Sequence, residues 1–320
     1  MKVTIISLDK WGYNDFIAQE LSRRGIEVKH IDFYKLKYSY PTFFHKAINF
    51  FIKHLFNYNL KREHLNKVLE KAISKDERQD AILIIKGDNL SVKTIKSIKK
   101  NTQTLITFLN DSMARYPRMK RVYPYFDEIY SFDPDDVVKH HFKLITNYIY
   151  FDYQKTQKSI PKYGVFNISS LDKRTKTMPQ FARYFRDHQI DYKLIAFSDK
   201  YYEELENLNI EQTKETFSLE MVFELVKDSK YLLDLQRPKQ KGLSFRIFEG
   251  IALEKKIITT NKDIVNYDFY DDNNIAVVDP NDIYIPDDFF TSPYKKLDEN
   301  IVKKYHISTW VNTVFNLENV

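Results

Sequence analysis

The chain has 320 residues, enough for two domains of ordinary size, and its 43% hydrophobic and 29% charged content belongs to a folded globular protein rather than a disordered one. It contains no cysteine, which excludes disulfides and thiolate metal sites. The formal charge of +6 is a modest excess that suits phosphate-bearing ligands or an anionic surface, and no basic stripe or recognisable module points to nucleic acid.

The first residues, Met1 to Ile6, read as a buried strand and not as a signal peptide. No stretch approaches the roughly 18 apolar residues needed to span a bilayer, so the expected location is the cytoplasm. Val3–Leu8 is predicted as a strand and Asn14–Arg24 as a helix with Phe16, Ile17 and Leu21 on one face, followed by a strand at Val28–Phe33. After a long helical region come short apolar strands at Ala81–Lys86, Leu105–Leu109 and Glu128–Ser131, with a helical segment at Met113–Tyr125. Phe151–Lys162 is polar and weakly periodic, and reads as a linker. The alternation then restarts: strand Tyr163–Ile168, helix Thr177–Asp187, and strands Tyr192–Ala196 and Tyr231–Leu235. A helix at Leu243–Leu253, a strand at Lys256–Thr260 and a helical stretch at Glu299–Leu317 complete the chain. Short apolar strands separated by helices imply parallel sheets covered on both faces. The fold class is therefore α/β, with two units in tandem whose ligands bind at strand carboxyl ends.

The segment Tyr231 to Gly242 runs from a buried strand through a basic, proline-containing loop to a glycine expected to open the next helix. Helix N-terminal amides and the dipole behind them form an anion site suited to a diphosphate. Gly242 allows close backbone approach; Ser244 and Arg246 supply a hydroxyl and a fixed positive charge. Glu249, about two turns along, is placed to accept hydrogen bonds from a ribose diol. On the residues alone, an ordinary strand–loop–helix with an exposed Arg and Glu fits equally well.

The run Asp234 to Tyr270 resembles the donor-binding domain of GT-B glycosyltransferases. It contains Gly242-Leu243-Ser244-Phe245-Arg246-Ile247-Phe248-Glu249 and Ile257-Ile258-Thr259-Thr260-Asn261-Lys262. It is most similar to bacterial enzymes of capsule, lipopolysaccharide and exopolysaccharide assembly, including CgeB-like proteins. Asn110-Asp111-Ser112 and Tyr130 to Asp136 resemble the N-terminal domain of the same family. The resemblance implies GT-B architecture, two Rossmann-like domains facing each other across a cleft. Residues 1–155 would form the acceptor-side domain and 156–298 the nucleotide-sugar-binding domain; 299–320 would be a C-terminal helix packing back toward the first. It also implies transfer of a sugar from a nucleotide-sugar donor to a surface-glycan or lipid-linked acceptor, without a cofactor or metal. Glu249 would hold the ribose and Gly242, Leu243 and Ser244 the diphosphate, with Lys241, Arg246 and Asn261 beside them. Many retaining members carry an acid where this chain has Lys241, which cannot accept from sugar hydroxyls, so inverting and retaining chemistry both stay open. A polyol-phosphate transferase and a non-catalytic nucleotide- or glycan-binding protein are the alternatives.

Arg174, in the basic run after the first strand of the second domain, is the candidate for stabilising the leaving diphosphate. Asp111 and then Asp9 are the candidate catalytic bases, because both sit at strand carboxyl ends, as does Asp88. Asp133, Asp135 and Asp136 read as caps for a helix starting near Val137. The adjacent His140 and His141 diverge by about 100° on a helix and do not form a chelating pair, so no metal site is expected. Thr42–Leu60 carries Phe44, Ile48, Phe51 and Leu55 at helical spacing among His45, Lys46, Lys53 and His54. Such a segment either rests on an anionic membrane, giving a peripheral location at its inner face, or packs on its own domain or forms a lid.

Overall fold

The computed structural model describes residues 1–36, 38–56, 58–154, 160–171 and 177–317. The chain divides into two compact units: Met1–Ile145 with Val311–Val320, and Thr146–Trp310.

The first unit opens with β1 (Lys2–Ser7), α1 (Asp15–Arg23) and β2 (Glu27–Asp32). Ile17 and Leu21 bury one stripe of α1, and Gly25 takes the left-handed conformation (φ 75°) that ends the helix. Helices α2 (Phe43–Phe56) and α3 (Leu60–Ile73) follow, then β3 (Gln79–Ile85), α4 (Val92–Lys100) and β4 (Thr102–Leu109). The segment read as helical at Met113–Tyr125 forms two short 3-10 turns instead, Pro117–Arg121 and Tyr123–Tyr125. Pro117 and Pro124 explain this, because each removes an N–H that an α-helix interior needs. The unit continues with β5 (Glu128–Ser131), α5 (Pro134–His140) and β6 (Lys143–Leu144).

The six strands of this sheet are parallel, in the order β2-β1-β3-β4-β5-β6. In its core Ile6, Ile82, Ile84, Leu105 and Leu109 pack with Leu69, Ile95 and Ile98, and Phe33, Phe126 and Phe142 join them. Farther along the chain, Tyr130 donates to the Thr313 carbonyl (3.1 Å) and Arg24 bonds the Asn312 side chain, so the C-terminal residues are hydrogen-bonded into this unit.

The second unit comprises β7 (Tyr163–Ser170), α6 (Thr177–Asp187), β8 (Tyr192–Phe197), α7 (Glu203–Glu206), β9 (Ile210–Thr213) and α8 (Leu219–Lys227). Next come β10 (Ser229–Asp234), α9 (Phe245–Ala252), β11 (Lys256–Thr259), β12 (Ile275–Val277), α10 (Asp287–Thr291) and α11 (Glu299–Lys304). The final α12 (Ile307–Phe315) begins here and crosses the division between the units. The predicted C-terminal helix is thus two helices, interrupted at Tyr305-His306. Phe151 and Tyr153, in the stretch read as linker, pack on Phe223 and His306 of this unit.

The second sheet is parallel, ordered β9-β8-β7-β10-β11-β12, which in the unit's own count is 3-2-1-4-5-6. Helix α9 lies very close on this sheet. A methyl group at Gly250 would come 2.6 Å from Ile257 Cδ1, so glycine permits the approach.

Candidate functional site

In a sheet of this topology the strand order reverses once, and adjacent connections leave in opposite directions there, opening a crevice at the carboxyl ends. In the second sheet that point lies between β7 and β10. Their pairing register ends at Phe166 and Leu232, and one residue on the buried Asn167 side chain donates to the Leu233 carbonyl (2.6 Å). The side chain takes over where the backbone ladder stops.

The loop leaving β10 here is the basic segment singled out in the sequence. Asp234, 4% exposed, accepts from Ser244 Oγ (2.6 Å) through one oxygen and from Thr259 Oγ1 (2.8 Å) through the other. It thereby ties both ends of the β10–α9 loop and the end of β11 to one carboxylate. Ser244 is the N-cap residue of α9, so the helix opens at Phe245, two residues after the expected start at Leu243. The first-turn amides of α9 follow Ser244 directly. Asn261 donates to the Lys241 carbonyl (3.0 Å) and accepts from Asp263 N (3.1 Å), so its side chain fastens the loop from beneath. Lys241 Nζ stands 3.7 Å from Asp263. Gly242 and Leu243 are buried, and the Leu243 carbonyl accepts from Asn147 (2.8 Å).

Glu249 and Arg246 differ from the sequence expectation. The later helix start puts Glu249 just over one turn along α9, pointing into the unit with 1% exposure. One oxygen accepts from Tyr150 OH (2.7 Å) and the other meets Arg246 (2.5 Å). The Arg246 guanidinium also lies 5.1 Å from the Phe166 ring centroid. Both side chains therefore brace α9, with Arg246 in its first turn and Glu249 one turn farther along. Arg174 lies outside the described residues.

In the first sheet the order reverses between β1 and β3. Asp9 follows β1, and its oxygens accept from the backbone N–H groups of Gly12 (2.9 Å), Asn14 (2.8 Å) and Asp15 (3.0 Å). Burial raises its pKa, while these hydrogen bonds oppose the rise. The carboxylate is a staple for its own loop. Asp111, after β4, is held between Lys86 Nζ (2.9 Å) and Arg115. Lys86 has a left-handed backbone (φ 57°) and sits 3.3 Å from the Tyr116 ring centroid. Asp88, after β3, is different: it is 9% exposed, and its Oδ1 is buried with no hydrogen-bond partner. Burial also raises its pKa. Of the three strand-end carboxylates, Asp88 alone keeps an uncommitted oxygen.

No protein-family model matches the chain, and no curated protein does. Solved structures match it along almost its whole length at low identity. Anabaena HepE, solved with UDP-glucose, has a TM-score of 0.62 at 10% identity, covering 99% of this chain and 98% of that one. An α,α-trehalose-phosphate synthase (UDP-forming) from Burkholderia xenovorans, solved with glucose-6-phosphate, gives 0.61 at 9%, covering 99% of each. A UDP-GlcNAc 2-epimerase from Methanocaldococcus jannaschii gives 0.56 at 11%, again covering 99% of each.

The fold is GT-B. At such identities the likeness fixes the architecture, and an epimerase shares it with a synthase, so the chemistry has to come from the residues.

Within this GT-B chain two other constellations are structural. Ser7, His30 and Asp15 form a hydrogen-bonded relay (2.8 and 3.1 Å), but Ser7 is fully buried and presents no nucleophile. Asp133 caps α5 by accepting from Asp135 N (3.0 Å), three residues earlier than the helix start read near Val137. Among the described residues no three His, Cys, Asp or Glu side chains gather as a metal-binding group. A cavity of about 500 Å³ in the second unit, lined by Ile251, Leu253, Glu254 and Tyr294, adjoins the C-terminal end of α9, away from the strand carboxyl ends.

The residues that sequence reasoning missed are Asp234 as the hub of the loop, Tyr150 as the partner of Glu249, and Lys86 beside Asp111. A serine just before an apolar helical run was the available signal for the true N-cap. Tyr150 and Glu249 are 99 residues apart, and no local pattern links them.

Proposed function

We propose that this protein is a glycosyltransferase that moves a sugar from a nucleotide-sugar donor onto a bacterial surface glycan, of the capsule, lipopolysaccharide or exopolysaccharide type. The observation that carries the reading is the β10–α9 loop at the switch point of the second sheet, held by Asp234 so that the α9 N-terminus faces the end of the strand ladder. Amides at that helix start, with Arg237, Lys239 and Lys241 in the same loop, meet diphosphate charge in the absence of a metal. The glycosyltransferase-like neighbours support the reading: HepE was solved with UDP-glucose on the same fold. Gly242, Leu243 and Ser244 line the diphosphate. Glu249, Arg246 and Asn261 position the loop and helix, and the first unit supplies acceptor contacts.

The acceptor is membrane-borne on this reading, and α2 is its docking element. Phe43 (80% exposed), Phe44 (76%), Phe51 (62%) and Leu55 (73%) stand out from a helix that carries His45, Lys46, Lys53 and His54 and no acid. An apolar, basic helix of this kind lies in an anionic interface without crossing it. Among the described residues no helix is long and apolar enough to cross a membrane.

The test is turnover with UDP-, GDP-, CDP-, CMP- and dTDP-linked donors, with and without EDTA. The account expects release of the nucleotide and a sugar from at least one donor, unchanged by EDTA. Strict dependence on Mg²⁺ or Mn²⁺, a released polyol phosphate, or epimerisation of the donor sugar without transfer would each replace it.

A further inference from the structure

The first unit contains a cavity of about 220 Å³ between the first turns of α3, the β3–α4 loop and the 3-10 turn after β4. Arg62, Arg118 and Arg121 line it together with Asp88, Ser91 and Val92, and Glu63 stands at its edge. Three guanidiniums repel one another in so small a space: burial, and then Arg118 and Arg121, hold the Arg62 pKa below its ordinary value. Arg118 and Arg121 are exposed, and among the described residues neither has a carboxylate oxygen within 4 Å, although the Arg118 charge is felt at Asp88.

Three further features give the cavity chemical definition. Ser91 Oγ caps Thr94 N (3.0 Å), which leaves the Val92 and Lys93 amides at the positive end of α4 directed along the helix axis. Asn66 accepts from Ser91 N (2.8 Å) and donates to the Asn89 carbonyl, fixing the loop that carries Asp88. Asp88 itself offers a buried oxygen that no protein group satisfies. Buried polar atoms in native structures normally have partners, so an orphan beside a cavity points to a group supplied from outside.

We propose that this cavity binds the phosphate group of a phosphorylated sugar, with Arg62, Arg118 and Arg121 around the phosphate and Asp88 accepting from a sugar hydroxyl. Guanidinium forks match phosphate oxygens in pairs. Asp88 is a countercharge to Arg62 and Arg118, but an anion alone leaves its Oδ1 without a donor; a ligand carrying both a phosphate and a hydroxyl meets the arginines and that oxygen together. The volume falls short of the ~300 Å³ at which pockets enclose a whole drug-sized ligand, so it takes a phosphate and part of one ring. As the acceptor side of the transfer it rests on the function proposed above. As a phosphate site it stands alone.

The phosphate comes either from a soluble sugar phosphate or from a lipid-linked one. Calorimetric titrations with inorganic phosphate and a hexose phosphate, and co-sedimentation with vesicles containing a polyprenyl phosphate, distinguish these sources. Wild type is compared with Arg118→Gln/Arg121→Gln and with Asp88→Asn, all in the full chain. The double variant should lose at least tenfold in affinity for every phosphate probe. Asp88→Asn should lose several-fold for the hexose phosphate and retain inorganic phosphate. Tighter vesicle than hexose phosphate binding assigns the lipid-linked source, and the reverse order assigns the soluble one. Equal phosphate binding by wild type and the double variant, or none by wild type, overturns the site. Nucleotide binding on the same samples separates the two readings: phosphate without nucleotide binding keeps this site and sinks the transferase, and nucleotide without phosphate binding does the opposite.

Discussion

The two switch points are built on opposite electrostatic plans. At the carboxyl end of β10, the polar side chains answer one another: Asp234 joins Ser244 to Thr259, and Glu249 joins Arg246 to Tyr150. At the carboxyl end of β3, Asp88 keeps an unsatisfied oxygen and Arg118 and Arg121 stand exposed around it. A self-satisfied site is rigid before any ligand arrives, and it offers backbone amides rather than side chains. A site with uncommitted charge instead draws its specificity from what fills it. The first plan suits a diphosphate common to many donors, and the second a particular acceptor.

Removing a member of the self-satisfied site should cost most. Glu249→Ala leaves the largely covered Arg246 side chain without its carboxylate, which costs up to roughly 3–5 kcal/mol, read from urea unfolding. Nucleotide binding should weaken with it. Weaker binding at unchanged stability would instead mean that Glu249 touches the ribose directly. Asp234→Ala removes the acceptor of the buried Thr259 hydroxyl and of the half-buried Ser244 hydroxyl, at about 1–3 kcal/mol for the buried donor left unpaired. It should also loosen the α9 N-terminus, raising the nucleotide Kd.

The uncommitted site should respond in the opposite direction. Burial raises the Asp88 pKa, so above the unfolded value of about 3.9 the folded chain holds a proton that the unfolded chain has released. Stability from this group is full below that value and is lost as pH rises through the folded pKa. Asp88→Asn should therefore be more stable than wild type at pH 7, and the gap should close near pH 3. An equal gap at both pH values contradicts the account. The smallest effect on folding belongs to α2: Phe44→Ser with Phe51→Ser should shift stability by less than about 0.5 kcal/mol per surface site. The same pair should abolish binding to anionic liposomes, and retained binding would remove the membrane contact.

Local pattern made most of the sheets legible. The patterns at Glu128–Ser131 and Thr177–Asp187 give the observed bounds, because each is a short run with one dominant period. Helical spacing misled at Met113–Tyr125, where two prolines outweigh the periodicity. The β10–α9 loop was legible in composition but not in geometry. Gly242 drew the helix start two residues too early, and the bond from Tyr150 to Glu249 had no local signal. The arginine cavity was invisible for a different reason. Arg62 and Arg118 come from distant segments, and only the β3–β4 pairing and the α3–α4 packing bring them to one opening.

The central claim is that the start of α9 receives a nucleoside diphosphate. It is tested most directly by calorimetric titration of UDP, GDP, CDP and dTDP into wild type and Ser244→Glu. The variant puts a negative charge at the helix N-terminus and breaks the bond to Asp234. The account predicts that at least one diphosphate binds wild type and that its affinity falls by tenfold or more in the variant. Binding that is indifferent to Ser244→Glu in a folded protein, or no binding by wild type, would contradict it.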